Sequence, residues 1–151
     1  MVKVYNLETG YTRDTYINDS NYGTITTLRA EQDIIVAGYS SGALVVWDPA
    51  GIMEADPTPK PSKIVAIDIY EPYILALSDN GLIRVFTTNE EAGTSKLEHV
   101  RTHLLPQMPP RSRVHFGQFT LSEMGPITLM AAVSEPLTSE TPHGTIFNFH
   151  Q

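Results

Sequence analysis

Five histidines, at positions 99, 103, 115, 143 and 150, are the side chains of this chain best suited to hold a metal or move a proton near neutral pH. His99 and His103 stand four apart, the spacing that would turn two imidazoles toward one ion on a helix. No glutamate follows His99 in the helical zinc-protease arrangement and no third ligand is indicated, so surface histidines are the preferred reading, with no metal or cofactor expected. Around them lies a loosely basic run, Arg101, His103, Arg111, Arg113 and His115, broken by Pro106, Pro109 and Pro110. Guanidinium groups gathered in this way could grip an acidic peptide or a phosphate, although a solvated linker uses the same letters. Arg101, His103, Arg111 and Arg113 are therefore the candidate partner-binding loop.

Other reactive residue types form no constellation. Glu31, Asp33, Asp68, Glu71, Glu90 and Glu91 fall mostly in turn-like sequence, where solubility accounts for them, and their spacing defines no acid–base pair. The serines and threonines of residues 134–144 could accept phosphate, but the segment reads better as a disordered hairpin loop. No phosphate-gripping glycine loop or nucleophile elbow is present, so no catalytic residue is assigned and an enzyme is not expected.

The elements that would position these side chains come from an internal repeat. The segment GYSSGALVVWD (38–48) aligns with ALSDNGLIRVFT (76–87): a turn ending in glycine, then an alternating apolar strand with an aromatic near its end. Gly42 matches Gly81, Leu44 and Val46 match Ile83 and Val85, and Trp47 matches Phe86, an interval of 39 residues. The same frame places Tyr5 of the amino-terminal VKVYNLETG and Gly144, Ile146 and Phe149 of the carboxyl-terminal HGTIFNFH. The aromatics step by 42, 39 and 63 residues, and the long last interval suggests loop insertion in residues 88–113 and 134–143, which are rich in Pro, Thr, Ser and charge.

Each glycine turn follows a short apolar run (34–39, 73–78, 126–133), and each of those follows another (24–30, 63–70, 115–123). These runs are β-branched and too short for helices, so each unit contains three antiparallel strands. A fourth strand is expected in the spacers at about 11–17 and 97–105. Ser40-Ser41-Gly42 and Asp79-Asn80-Gly81 supply residues that tolerate the positive φ of a tight hairpin.

A glycine turn, an alternating strand and a closing Trp47-Asp48, recurring at about forty residues, resembles the WD-repeat propeller family. The equivalents of that pair are Tyr5-Asn6, Phe86-Thr87 and Phe149-His150. The family's Gly-His pair before a blade is missing, and Ser41, Asn80 and His143 stand where Asp usually precedes the glycine. The resemblance implies an all-β partial propeller of about three antiparallel four-stranded blades, a single fragment over 1–151 with repeat units at 7–48, 49–87 and 88–151 after a strand, 1–6, of an incomplete blade. Trp47 is then an aromatic wedged between blades rather than a binding hot spot, and Asp48 an acceptor in the turn that follows. Three blades do not close a ring, which implies exposed apolar faces and completion by the rest of a longer propeller or by a second chain.

The wording of residues 34–48 and 74–86 is similar to the propeller half of fungal F-box and WD-repeat proteins, which implies substrate recognition for a ubiquitin ligase. Propellers of vesicle-tethering and ribosome-assembly complexes have comparably irregular blades. The expected function is a non-catalytic protein-interaction scaffold with protein or peptide partners; a hydrolase or lyase on the same scaffold is the alternative from another class.

Composition narrows the remaining classes. The 151 residues include no cysteine, which excludes disulfides, thiolate metal sites and cysteine nucleophiles. Seventeen acidic against ten basic residues leave a net charge of −7, opposing attraction to nucleic acid or anionic lipid. No apolar run is long enough to span a bilayer and no secretory signal opens the chain, so an intracellular protein, cytoplasmic or nuclear, is expected.

Overall fold

The structure is a computed structural model of the chain. It describes all residues except 17–21, 32–33, 49–50, 57–61, 71, 92–93, 106–110, 121–126, 136–138 and 150–151, and gives the strand path alone at 16, 51–56, 89–91, 94–96, 127, 135 and 139–149. His150 and the prolines at 106, 109 and 110 thus lie outside the described residues.

Thirteen strands form among the described residues: β1 (Val2–Tyr5), β2 (Thr12–Tyr16), β3 (Ile25–Glu31), β4 (Ile34–Tyr39), β5 (Leu44–Asp48), β6 (Gly51–Asp56), β7 (Ile64–Tyr70), β8 (Tyr73–Ser78), β9 (Leu82–Glu91), β10 (Thr94–Leu104), β11 (Arg113–Thr120), β12 (Ile127–Glu135) and β13 (Ser139–Phe149). They make four sheets in chain order, β1-β2, β3 to β6, β7 to β10 and β11 to β13, with every bonded neighbour antiparallel. Two complete four-stranded sheets therefore stand between a two-stranded and a three-stranded one.

The two central hairpins share one turn. Gly42 N donates to Tyr39 O and Gly81 N to Ser78 O, both at 3.0 Å, and the two glycines sit at φ of 87° and 85°. Only glycine takes that conformation without Cβ strain. Ser41 and Asn80 contribute differently from the expectation that they tolerate positive φ: their side chains accept from the backbone N–H of Ala43 (3.3 Å) and Leu82 (3.1 Å).

Strand alternation sorts side chains into successive layers. Leu44 and Val46 face the third sheet, in a cluster with Ile67, Ile69, Ile74 and Phe86; their repeat mates Ile83 and Val85 face the fourth, with Phe119, Leu129 and Val133. Trp47, fully buried, points the other way, among Val2, Ala37, Tyr39 and Val45. Each aromatic thus wedges against the preceding sheet. Tyr5, at the same repeat position on β1, is 55% exposed because, among the described residues, no sheet packs on that side.

Several expectations need correction. Residues 88–91 and 94–96 are strand rather than loop insertion: β9 runs to Glu91, and β10 returns over Thr94–Leu104, taking in the fourth strand expected at about 97–105. The segment 134–143 is likewise mostly strand, at the end of β12 and the start of β13, with 136–138 outside the described residues. Strand β6, over residues 51–56, had no sequence signal; it forms by pairing with β5. Asp48 ends β5 opposite Gly51, and the turn beyond it, 49–50, is not among the described residues. Gly144 and Phe149 lie on β13, opposite Ala132 and Ile127.

The outermost faces are less apolar than the inner ones. On the last sheet, Leu129, Ala131 and Val133 point inward, while the outward positions alternate Phe116 and Met130 with Gln118 and Thr128. Among the described residues no helix is long and apolar enough to cross a membrane.

Candidate functional site

Among the described residues the first strands of three successive sheets, β3, β7 and β11, each have a ladder partner on one side only. Their other edges border a trough of about 640 Å³, lined by Thr27 to Arg29, Glu31, Val65 to Tyr70 and Phe116 to Phe119. Six consecutive residues of β7 line it. Side chains alternate between the faces of a strand, so an unbroken run can border one space only where the strand presents its edge.

Thr26 and Asp68 hold this arrangement together. Thr26 Oγ1 donates to Ile64 O at 2.6 Å, joining β3 to β7. The Asp68 carboxylate, 7% exposed, accepts from its neighbour's N–H, Ile69 N, at 2.8 Å and from the Tyr70 hydroxyl at 3.1 Å, and Arg29 Nη2 lies 3.5 Å away. Burying a carboxylate is costly unless its oxygens are bonded in this way. The Tyr70 phenol is pushed up to about 12, by its burial first and then by the Asp68 charge. Around this polar centre Leu28, Glu31, Phe116 and Gln118 are exposed.

None of the candidate partner-binding residues lines the trough. Arg101 and His103 lie on β10, the outer strand of the third sheet, opposite Val85 and Ile83. Arg101 is exposed and His103 half-buried; burial, and then the charge of Arg101, lower the His103 pKa below its ordinary value. Arg111 is exposed in a turn at φ 67°. Arg113 opens β11, with Nη1 3.5 Å from Asp79 Oδ2. The basic run is thus divided between two sheets rather than gathered in one loop.

Asp79 is a junction between those sheets. Its carboxylate also accepts from the Ser62 hydroxyl, its N–H donates to Lys63 O at 2.8 Å, and its carbonyl accepts from Val114 N at 2.7 Å. Arg84, nearly buried, makes a second junction: Nη2 donates to Gly42 O at 2.6 Å, and its guanidinium lies 5.5 Å from the Phe86 ring centre.

The histidine pair does not assemble as a helical metal site. His99 and His103 lie on β10, and a register shift between His99 and Arg101 interrupts the alternation between them. His99 Nε2 is 2.7 Å from Thr102 Oγ1, and His115 Nε2 is 2.5 Å from Ser134 Oγ. Among the described residues no three His, Asp or Glu side chains are grouped to hold a metal.

Sequence reasoning missed Arg29, Tyr70, Phe116 and Arg84, and assigned Asp68 to solubility. One signal was available: Asp68 interrupts the apolar run KIVAIDIY, and a charge in the middle of a buried strand calls for partners.

No family model matches the chain, and no curated protein matches it. Among solved structures it is similar to the crystal structure of the β-propeller domain of Cps50 (Swd1) from Myceliophteria thermophila, with a TM-score of 0.53 and 16% identity. The match takes in 74% of this chain and 35% of that chain. The chain is an arc of a β-propeller. Its sheets are blades, β3, β7 and β11 are their innermost strands, and the trough is the inner wall of the arc. At this identity the likeness concerns the fold.

Proposed function

We propose that this propeller arc is a non-catalytic protein-interaction scaffold that binds an extended peptide segment of its partner along the trough. The observation that carries this reading is the trough itself, a space bordered by the first strands of three sheets in which exposed apolar residues, Leu28 and Phe116, stand with fixed polar ones, Asp68 and Tyr70. The unpaired edges of β3 and β11, whose residues are largely exposed, present backbone N–H and C=O groups in the spacing an extended peptide needs. The volume is in the range of sites that enclose ligands, about 300–1,000 Å³.

The resemblance of Gly42 to Asp48 to the WD-repeat family supports placing the chain there, with repeat units at 7–48, 49–87 and 88–151. Substrate recognition for a ubiquitin ligase is the most specific form of the reading, and it rests on the wording of residues 34–48 and 74–86. In that form the protein works inside the cell. Arg101 and His103 on β10, and Arg111 and Arg113 at the start of β11, would give the partner further contacts outside the trough.

A displayed random-peptide library tests the reading. Peptides selected on the wild-type chain are expected to lose binding to Leu28→Asp and Phe116→Asp, both exposed positions where the fold survives, and to keep it on Glu98→Gln. Peptides indifferent to both trough variants, or no selected peptide at all, would overturn the trough as the binding site.

A further inference from the structure

We infer that two copies of this chain pair through β13, antiparallel and across a two-fold axis, joining two three-stranded sheets into one. In the two complete sheets the third strands, β5 and β9, are covered on their outer edges by β6 and β10. Among the described residues β13, the strand at the same place in the last sheet, is paired with β12 alone. A strand with one edge unpaired presents a row of backbone N–H and C=O groups to another chain. β13 is the outermost strand of its sheet, so this pairing lies on the outside of the arc, away from the trough, and is independent of the scaffold reading.

The sequence of each outer strand decides which edge is available. β6 carries Glu54 and Asp56, and β10 carries Lys96, Glu98 and Arg101; charges of this kind keep an edge strand from pairing further. β13 has no acidic residue, lysine or arginine after Glu140. Pro142, without an N–H, blunts the first part of its edge, beside the register shift between Val133 and Glu135. That leaves residues 143–149, HGTIFNF, in which β-branched and aromatic types that favour strands predominate.

A second copy fits this edge because an antiparallel strand is its own complement. Under a two-fold axis each N–H that meets a C=O across the pair is matched by the same bond in reverse. With the axis on Ile146, residues 143–149 of the two copies lie opposite one another. Ile146 stands opposite Met130, which is 43% exposed on the outward face of the sheet, so Met130 and Ile146 of one copy form a single apolar row with those of the other.

Sedimentation equilibrium across a wide range of protein concentration is expected to show a reversible monomer–dimer equilibrium. Hydrogen exchange read by mass spectrometry should slow in β13 as the dimer forms and stay unchanged in β10. Ile146→Lys and Ile146→Glu, which set like charges directly opposite each other, should each weaken the dimer about ten-fold. An equal mixture of the two variants should restore it as a heterodimer, a recovery that misfolded variants do not give. Met130→Lys, on the same face but one strand further from the axis, should weaken it much less. A chain that is monomeric throughout, or exchange in β13 that does not depend on concentration, would overturn the inference. So would charge variants whose mixture stays monomeric, or a dimer that Met130→Lys dissociates and Ile146→Lys does not, which would be joined by the faces of the sheets and not by their edges.

Discussion

Trp47 and Tyr5 occupy the same place in the repeat, yet their removal should have very different consequences. Trp47 is fully buried against Val2, Ala37, Tyr39, Ala43 and Val45, with Tyr22, Ile25 and Ile35 packed beside them, between the first blade and the second. Cutting it to alanine loses the transfer energy of the indole and leaves a cavity that two sheets cannot fully close. Such truncations cost about 3–5 kcal/mol, a large share of the ~5–15 kcal/mol of a typical domain. Tyr5, 55% exposed on β1, leaves no cavity, and Tyr5→Ala should cost within about 0.5 kcal/mol. Urea unfolding followed by far-ultraviolet circular dichroism measures both; fluorescence cannot, because Trp47 is the only tryptophan. Should Trp47→Ala lie below the stability limit, Trp47→Phe gives a smaller loss in the same direction. Equal losses at positions 5 and 47 would refute the claim that the aromatic stabilises by wedging against a preceding blade.

Further outcomes follow from the same contacts. A methyl group at Gly38 would lie 2.6 Å from Ile64 Cγ2 and 2.8 Å from Thr27 Cγ2, so Gly38→Ala should destabilise by about 1–3 kcal/mol, measured by urea midpoint. At Gly10 nothing lies within 4 Å, and Gly10→Ala should cost only the roughly 1 kcal/mol of its φ of +76°. Because the folded state holds His103 below its ordinary pKa of 6.5, it favours the neutral ring. That contribution is complete above the unfolded pKa and is lost as pH falls through the lowered folded one, so a urea midpoint series should fall less with acid in His103→Gln than in the parent. Burial pushes the phenols of Tyr39 and Tyr70 up to about 12, and they favour the protonated form. Their stabilisation holds below pH 10 and is lost as pH rises through about 12; ultraviolet absorbance should show Tyr70→Phe lacking one late-titrating phenol.

How far each feature was legible depends on the distance over which its cause acts. Alternation along one strand and the glycine that closes a hairpin are local, so 34–39 and 73–78 could be read to the residue as strands β4 and β8, and the match of Leu44 and Val46 with Ile83 and Val85 placed both pairs on corresponding faces. The φ values of Gly42 and Gly81 follow from a turn that four residues define. Strand β6 escaped notice because GIMEAD has little β-branched or alternating character; its strand geometry comes from the ladder with β5. The extension of β9 to Glu91 and the start of β10 were hidden for the same reason, their residues being polar, whereas the strand expected at about 97–105 is the rest of β10.

The candidate site needed the tertiary structure almost entirely. Arg29 and Asp68 are 39 positions apart, and Phe116 a further 48, so no local pattern announces that they border one space. The basic run shows the converse: Arg101 and Arg113 are close in sequence but belong to different blades, and Arg113 is turned toward Asp79. By itself the sequence determined an all-β repeat, its turns and the two faces of each principal strand, because those depend on the order of apolar and polar residues along a few positions. Tertiary packing decided which aromatic is buried and which carboxylate is held, because burial and charge pairing depend on the neighbouring blade.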